Sequence, residues 1–270
     1  MVRPSDDENM LQDARRLTEL QRWMNPRSFK GAITGLSAEQ RHYLTERATF
    51  LLYCKVARPG DVVFDLGANH GDHTRPLSAI VGAHGRVHAF EPNPALVPAL
   101  KRIGANVTVH EMAVSDHAGT ARLHIPDGLD SWASLDDRRG ILPEKKFTVH
   151  DVPVRALDAV PELARAHPCF VKMDVEGHEL SALRGMESIL KESRPIVVLE
   201  SPNSEICHFF EKVEYRIFDF FGDSEYPLYP GLFNVVAVPY GFAGYETLFL
   251  DSQDFMFMFL DYLALSDIKQ

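Results

Sequence analysis

Two short segments concentrate the chemistry of this sequence. They are Asp65-Leu-Gly-Ala-Asn-His-Gly71 and Lys172-Met-Asp-Val-Glu-Gly-His-Glu179. Each follows an apolar run and precedes a helical pattern. That places both at carboxyl ends of strands, where open α/β sheets bind their ligands. In the first, Gly67 and Gly71 permit a tight turn and close approach of backbone to a ligand. Asp65, Ala68 and Asn69 lie beside them. The loop is not the dinucleotide GxGxxG, because Asn69 and Asp72 stand at the second and third glycine positions. A pyrophosphate seeks bare N–H groups at a helix N-terminus, and Asp72 would repel it there. A tight turn without any ligand is the plainer reading of the loop taken alone.

Glu91 lies 26 positions after Asp65, at the end of the next apolar run. An acid there can accept hydrogen bonds from both hydroxyls of an unphosphorylated ribose, and Pro92 stops the strand. Alone, such a glutamate reads as a solvated charge; paired with the loop, it points to a nucleoside. The third run ends in Glu111-Met-Ala-Val-Ser-Asp116, where small residues such as Ala113 can border an adenine edge. Asp65 would favour a cationic ligand. S-adenosylmethionine (SAM) carries an ammonium and a sulfonium and no phosphate, so charge favours it over NAD.

The second segment gathers Asp174, Glu176, His178 and Glu179 within six residues. Asp174 can contact an amino group of the cofactor or position an acceptor. A histidine, with an ordinary pKa near ~6.5, suits removal of a hydroxyl proton. The competing reading makes His178 a solvent-facing residue in a first helical turn, where Glu176 and Glu179 suit the helix dipole. Hard cations want several oxygen ligands, which Asp174, Glu200 and Asn203 can offer. No Asp-Asn or Asp-Asp pair follows the fifth apolar run, so no metal is assigned.

The elements that must position these groups follow from pattern. Apolar runs at 61–66, 87–91, 107–112, 169–174 and 195–200 predict strands. Helical stretches at about 72–81, 94–103 and 177–192 alternate with them, which predicts a mainly parallel, doubly wound sheet. Runs at 215–221 and 233–238, separated by Pro227, Pro230 and Gly231, predict a closing antiparallel hairpin. The whole is a Rossmann-like α/β fold with a seven-stranded sheet. Residues 119–155 read as a β-rich insertion with a long loop near 131–146. Two N-terminal helices are expected, at 5–24 and from Ser37, each opened by a capping box: Ser5 with Glu8, and Ser37 with Gln40. Residues 25–35 are turn-rich. The expected domains are a helical cap or lid over 1–58, a ligand-binding domain over 59–240, and an apolar extension over 241–270. That extension suits the core or a dimer face, which leaves a homodimer open.

The net charge is −10, from 38 acidic and 28 basic residues. That argues against a general nucleic-acid partner. The three cysteines, Cys54, Cys169 and Cys207, form no CxxC pair. With no apolar leader at the N-terminus, a reduced cytoplasmic protein is expected. Asp251, Asp254 and Asp261 interrupt the apolar tail, so no membrane span is expected.

Together, VFDLGANHGDHT, HAFEPNP, EMAVSD, FVKMDVEGHELSALRGM and PIVVLE resemble the FkbM-type methyltransferases over roughly residues 60–240. KMDVEGHE followed by LRGM is the most specific part. The resemblance implies SAM as methyl donor and O-methylation of a small-molecule acceptor, a sugar or natural-product intermediate. It maps Asp65, Gly67, Asn69, Gly71 and Glu91 onto the cofactor site. It maps Asp174, Glu176 and His178 beside the methyl-transfer centre. His70 and His73 are not required by that likeness. Two other readings remain: a nicotinamide-dependent oxidoreductase, which predicts the absent GxGxxG, and a non-catalytic SAM- or nucleoside-binding module.

Overall fold

The computed structural model describes residues 36–200, 202–222 and 232–251, with positions 33, 253, 254, 257 and 258. The helix expected at 5–24, the turn at Pro227 to Gly231 and most of the apolar tail lie outside the described residues. The first described helix, α1 (Ala38–Val56), begins at the second capping box. Ser37 N–H donates to Gln40 Oε1 at 2.9 Å, and Gln40 N–H donates to Ser37 Oγ at 3.2 Å. Leu44, Ala48 and Leu52 on its apolar face are fully buried.

The next elements are β1 (Val62–Leu66), α2 (Thr74–Val81), β2 (Arg86–Phe90), α3 (Val97–Leu100), β3 (Val107–His110) and β4 (Ala113–Val114). The insertion is β5 (Gly119–Pro126) and β6 (Phe147–Arg155), followed by α4 (Pro161–Ala164). Then come β7 (Phe170–Met173), α5 (Glu179–Arg184), α6 (Glu187–Ser193), β8 (Ile196–Glu200) and α7 (Ser204–Lys212). The described chain closes with β9 (Tyr215–Phe218), β10 (Asn234–Pro239) and α8 (Tyr245–Leu248).

Seven strands form one sheet in the order β3-β2-β1-β7-β8-β10-β9. β3, β2, β1, β7 and β8 pair in parallel. The order reverses between β1 and β7, which makes their carboxyl ends the switch point where such sheets open a crevice. All four residues of β7 are buried, as a strand covered on both faces requires. Phe64 and Phe170 are wholly buried, each contributing about 1.5–3 kcal/mol by leaving water. A second sheet, β4-β6-β5, is built mainly from the antiparallel β5–β6 pair.

The chain clusters into two compact units. One holds residues 53–217 and 235–243, and contains the whole parallel core. The other gathers, among the described residues, 36–52, 218–222, 232–234 and 244–251. Within this second unit, Phe233 N–H donates to Thr45 Oγ1 at 3.1 Å, and Phe218, Tyr245 and Phe249 pack ring against ring. Among the described residues no helix is long and apolar enough to cross a membrane.

Two helices are shorter than their patterns predict. The stretch at 94–103 yields only Val97–Leu100. The stretch at 177–192 breaks at Gly185-Met186 into α5 and α6. Asp158 causes that break. Its N–H donates to the Gly185 carbonyl at 2.9 Å, and its carboxylate accepts from Ser188 and Ile189 N–H at 2.8 and 3.1 Å. A residue distant in sequence thus caps a second helix inside the first pattern.

Candidate active site

Strand register brings the two motif loops together. Leu66 lies opposite both Phe90 of β2 and Met173 of β7, so Gly67, Glu91 and Asp174 leave the sheet side by side. Asp174 N–H donates to the Leu66 carbonyl at 3.1 Å, and Gly67 and Ala68 N–H both donate to the Phe90 carbonyl at 3.0 Å. Gly67 has φ +74°, and a Cβ there would lie 1.8 Å from the Asp174 carbonyl oxygen. No side chain fits between the two loops. Lys172 fastens them from beneath. Its ammonium donates to the Gly67 carbonyl at 3.0 Å and to Asp174 Oδ2 at 3.4 Å, and lies 3.9 Å from Asp65 Oδ1.

The loops border a crevice open to solvent. Gly67, Asn69, Glu91 and Pro92 line one side, Met112 to Val114 the next, and Asp174, Val175, Glu176 and His178 another. Asp130, Ser131, Ala133 and Leu135 reach it from the β5–β6 connection. Glu91 is 5% exposed. Its Oε2 accepts from Asn69 N–H at 2.7 Å and its Oε1 from Asn93 N–H at 2.8 Å. Each carboxylate oxygen keeps a further lone pair for a ligand hydroxyl. Burial raises the Glu91 pKa, opposed by the Asn93 and Asn69 N–H bonds and by Lys172. The buried Oδ1 of Asn69 has no hydrogen-bond partner.

Of the residues assigned to cofactor binding, Gly67, Asn69, Glu91, Pro92, Ala113 and Asp174 line this crevice. Asp65, Ala68 and Gly71 do not line it. Asp65 is wholly buried and accepts from Thr74 Oγ1–H at 2.6 Å, fastening α2 to β1. Ala68 packs with Ala89 and Leu100 in the core. Gly71 has φ +84°, a left-handed conformation that favours glycine, and its N–H closes the turn onto the Ala68 carbonyl at 2.8 Å. His70 is exposed, 3.7 Å from Asp130, and His73 is buried against Tyr53.

The three expected catalytic residues, Asp174, Glu176 and His178, all line the crevice. Carboxylate oxygens of Asp174, Glu176 and Glu200 lie within 4.8 Å of one another. That crowding has a cost in charge. Burial, then Asp174, Glu176 and Glu179, push Glu200 up to about 7, and burial followed by Asp174 raises Glu176. Asn203 caps α7, accepting from Ile206 N–H at 2.9 Å. His178 is half-buried, with Nε2 3.0 Å from Ser115 Oγ. Burial lowers its pKa, opposed by the carboxylates of Asp136, Asp116 and Glu179.

Residues that sequence reasoning missed lie in the β5–β6 connection. Arg138 Nη1 donates to Glu176 Oε2 at 2.7 Å, and its Nη2 donates to the Glu176 carbonyl at 2.6 Å. Ser134 Oγ–H donates to that carbonyl at 2.7 Å. These bonds hold Glu176 at φ +54°, a conformation that costs a non-glycine residue about 1–3 kcal/mol. Nothing in Asp136-Asp-Arg-Arg139 marks one arginine as special. Lys172 did carry a signal, as a lone cation inside an apolar run.

A family model described as the methyltransferase FkbM domain matches residues 65–222. The 31-O-demethyl-FK506 methyltransferase FkbM of Streptomyces tacrolimicus is 32% identical over 180 residues, 54% of this chain and 67% of that protein. The hexuronic acid methyltransferase AglP of Haloferax volcanii is 27% identical over 157 residues, 57% of this chain and 61% of that protein. A crystal structure of methyltransferase FkbM from Methylobacillus flagellatus KT overlaps with a TM-score of 0.42 at 18% identity, covering 69% of this chain and 49% of that one.

Proposed function

The chain belongs to the FkbM methyltransferase family, and on that premise we propose that it methylates a hydroxyl of a sugar or natural-product intermediate with SAM as donor. The observation that carries this reading is the buried Glu91 carboxylate at the end of β2, backed by the unpartnered Asn69 Oδ1 in the same crevice. These are acceptor groups suited to a ribose, and the loop offers no cluster of glycines for a pyrophosphate. The names of the two relatives, an O-demethylated FK506 and a hexuronic acid, favour a hydroxyl-bearing small molecule.

When bound, SAM supplies an electrophilic methyl on a sulfonium. The chain supplies position. Glu91 would hold the ribose hydroxyls, Met112 to Val114 would border the adenine, and Asp174 would accept from the ammonium. His178, on the acceptor side, would take the hydroxyl proton. Alignment of the two reacting atoms, with water excluded, accounts for most of the acceleration such a transfer needs. The β5–β6 connection, held down by Arg138 and Ser134, would cover the acceptor. The proposed setting is cytoplasmic.

The test is incubation with methyl-labelled SAM and a panel of glycosides and hydroxylated metabolites, reading label transfer and S-adenosylhomocysteine together. Transfer to a hydroxyl is the expected result. Tight SAM binding without transfer to any acceptor would favour the non-catalytic module, and tighter binding of NAD(H) than of SAM would overturn the cofactor.

A further inference from the structure

Ser115 is fully buried, between β4 and the turn into β5. Two elements clamp its backbone. Its N–H donates to the Arg155 carbonyl of β6 at 2.9 Å. Against its own carbonyl lies Gly185, where a Cβ would stand 1.8 Å from the Ser115 oxygen. The hydroxyl is therefore held still, and it faces three polar atoms: His178 Nε2 at 3.0 Å, Asp116 Oδ1 at 3.4 Å and His117 Nδ1 at 3.4 Å.

The partners of this group bear on which way the bond to His178 runs. Asp116 accepts from His117 Nδ1 at 2.7 Å, and that hydrogen bond holds its carboxyl below the usual range. His117 Nδ1 thus carries a proton directed at Asp116 and offers Ser115 no lone pair. Asp116, ionised, can only accept. With the Ser115 proton turned toward Asp116, the Oγ lone pairs face His178 and receive an N–H from its Nε2. From this we infer that Ser115 is a positioning residue that holds His178 in its Nε2–H form and leaves the Nδ1 lone pair as the base. Nδ1 makes no hydrogen bond among the described residues, and His178 lines the crevice.

The inference deepens the methyl-transfer reading and rests on it for the base's role. The acceptor's O–H proton passes to Nδ1, giving an imidazolium whose Nε2–H stays on Ser115. Solvent later takes the Nδ1 proton, which restores the neutral ring. A serine at this place in the fold thus does for the imidazole what a carboxylate or carbonyl does elsewhere: it chooses which nitrogen can act.

Nitrogen-15 spectra of the full chain, labelled at histidine and recorded above the His178 titration, test it directly. The spectra are taken with and without S-adenosylhomocysteine. Disappearance of one signal set in His178→Gln gives the assignment. The expected spectrum has a protonated Nε2 and a bare Nδ1. Ser115→Ala should weaken that bias and lower kcat about 3- to 10-fold, as loss of one neutral hydrogen bond does. KM for SAM should stay within about twofold, since no ligand atom is lost, and Ser115→Thr should restore both readouts. A protonated Nδ1 in the wild-type protein overturns the inference without any variant, and so does an unchanged tautomer in a folded Ser115→Ala. Full turnover by His178→Ala overturns the base role even where the tautomer is as expected. The methyl-transfer reading itself fails separately, on the labelled acceptor panel.

Discussion

Arg138 and Glu176 are joined twice across 38 positions of sequence, once through the carboxylate at 2.7 Å and once through the backbone carbonyl at 2.6 Å. Both side chains are mostly shielded from solvent. Removing the guanidinium leaves the half-buried Glu176 carboxylate beside Asp174 without its own ion-pair partner. Arg138→Ala should therefore destabilise the protein by about 1–3 kcal/mol. Cleavage within 127–146 by limited proteolysis should speed up, because the connection keeps only the Ser134 hydrogen bond to the turn after β7. A variant as stable and as resistant as the wild type would mean the pair carries no weight.

Glu91 supports two loops as well as the proposed ribose site. Glu91→Ala should weaken S-adenosylhomocysteine binding about 10- to 150-fold for each charge-assisted bond lost. It also strips the acceptor from Asn69 and Asn93 N–H. The melting temperature without ligand should therefore fall by about 2–4 °C for each kcal/mol lost. Calorimetry and a thermal melt read the two effects separately, and an unchanged dissociation constant would remove Glu91 from the site.

His178→Ala should lower kcat about 10²- to 10⁴-fold with little change in SAM affinity. Its pKa is lowered from the ordinary 6.5, chiefly by burial. The neutral base thus persists below pH 6.5, and the acidic limb of kcat should have its midpoint there. A limb near pH 7 that vanishes in Glu200→Gln would instead report the carboxylate of Glu200.

Glu200 makes stability depend on pH. Its folded pKa of about 7 stands above the ordinary 4.5, so the folded protein holds its proton in a window where the unfolded chain has lost it. The stabilisation is full below pH 4.5 and disappears as pH rises through about 7. Glu200→Gln should raise the melting temperature at pH 8 and change it little at pH 5. The gain at pH 8 should be about 1–2 kcal/mol once solvent screening of a partly exposed group is allowed for. Equal effects at both pH values would contradict the charge crowding around Asp174.

Much of this protein was legible in its sequence because the relevant forces act over a few residues. Apolar runs and glycine turns marked β1, β2, β7 and β8, and the Ser37–Gln40 box marked the start of α1, since caps and periodicity are local. The same locality exposed Glu91 and Asp174 as strand-end residues and His178 in the turn after β7, and it carried the family resemblance. What local pattern could not contain was which distant group each side chain would meet. Asp65 read as a ligand group, yet register sets it beside Lys172 on β7, and Thr74 takes its other oxygen. The helix predicted over 177–192 is divided by Asp158, about 30 positions away. Arg138 meets Glu176 across 38 positions, from the connection that the paired β5 and β6 close. Ser115 meets His178 across 63 positions, through the packing of Gly185. Hydrogen bonds and ion pairs need partners within about 3–4 Å, and strand register and core packing, settled by the chain as a whole, decide who those partners are.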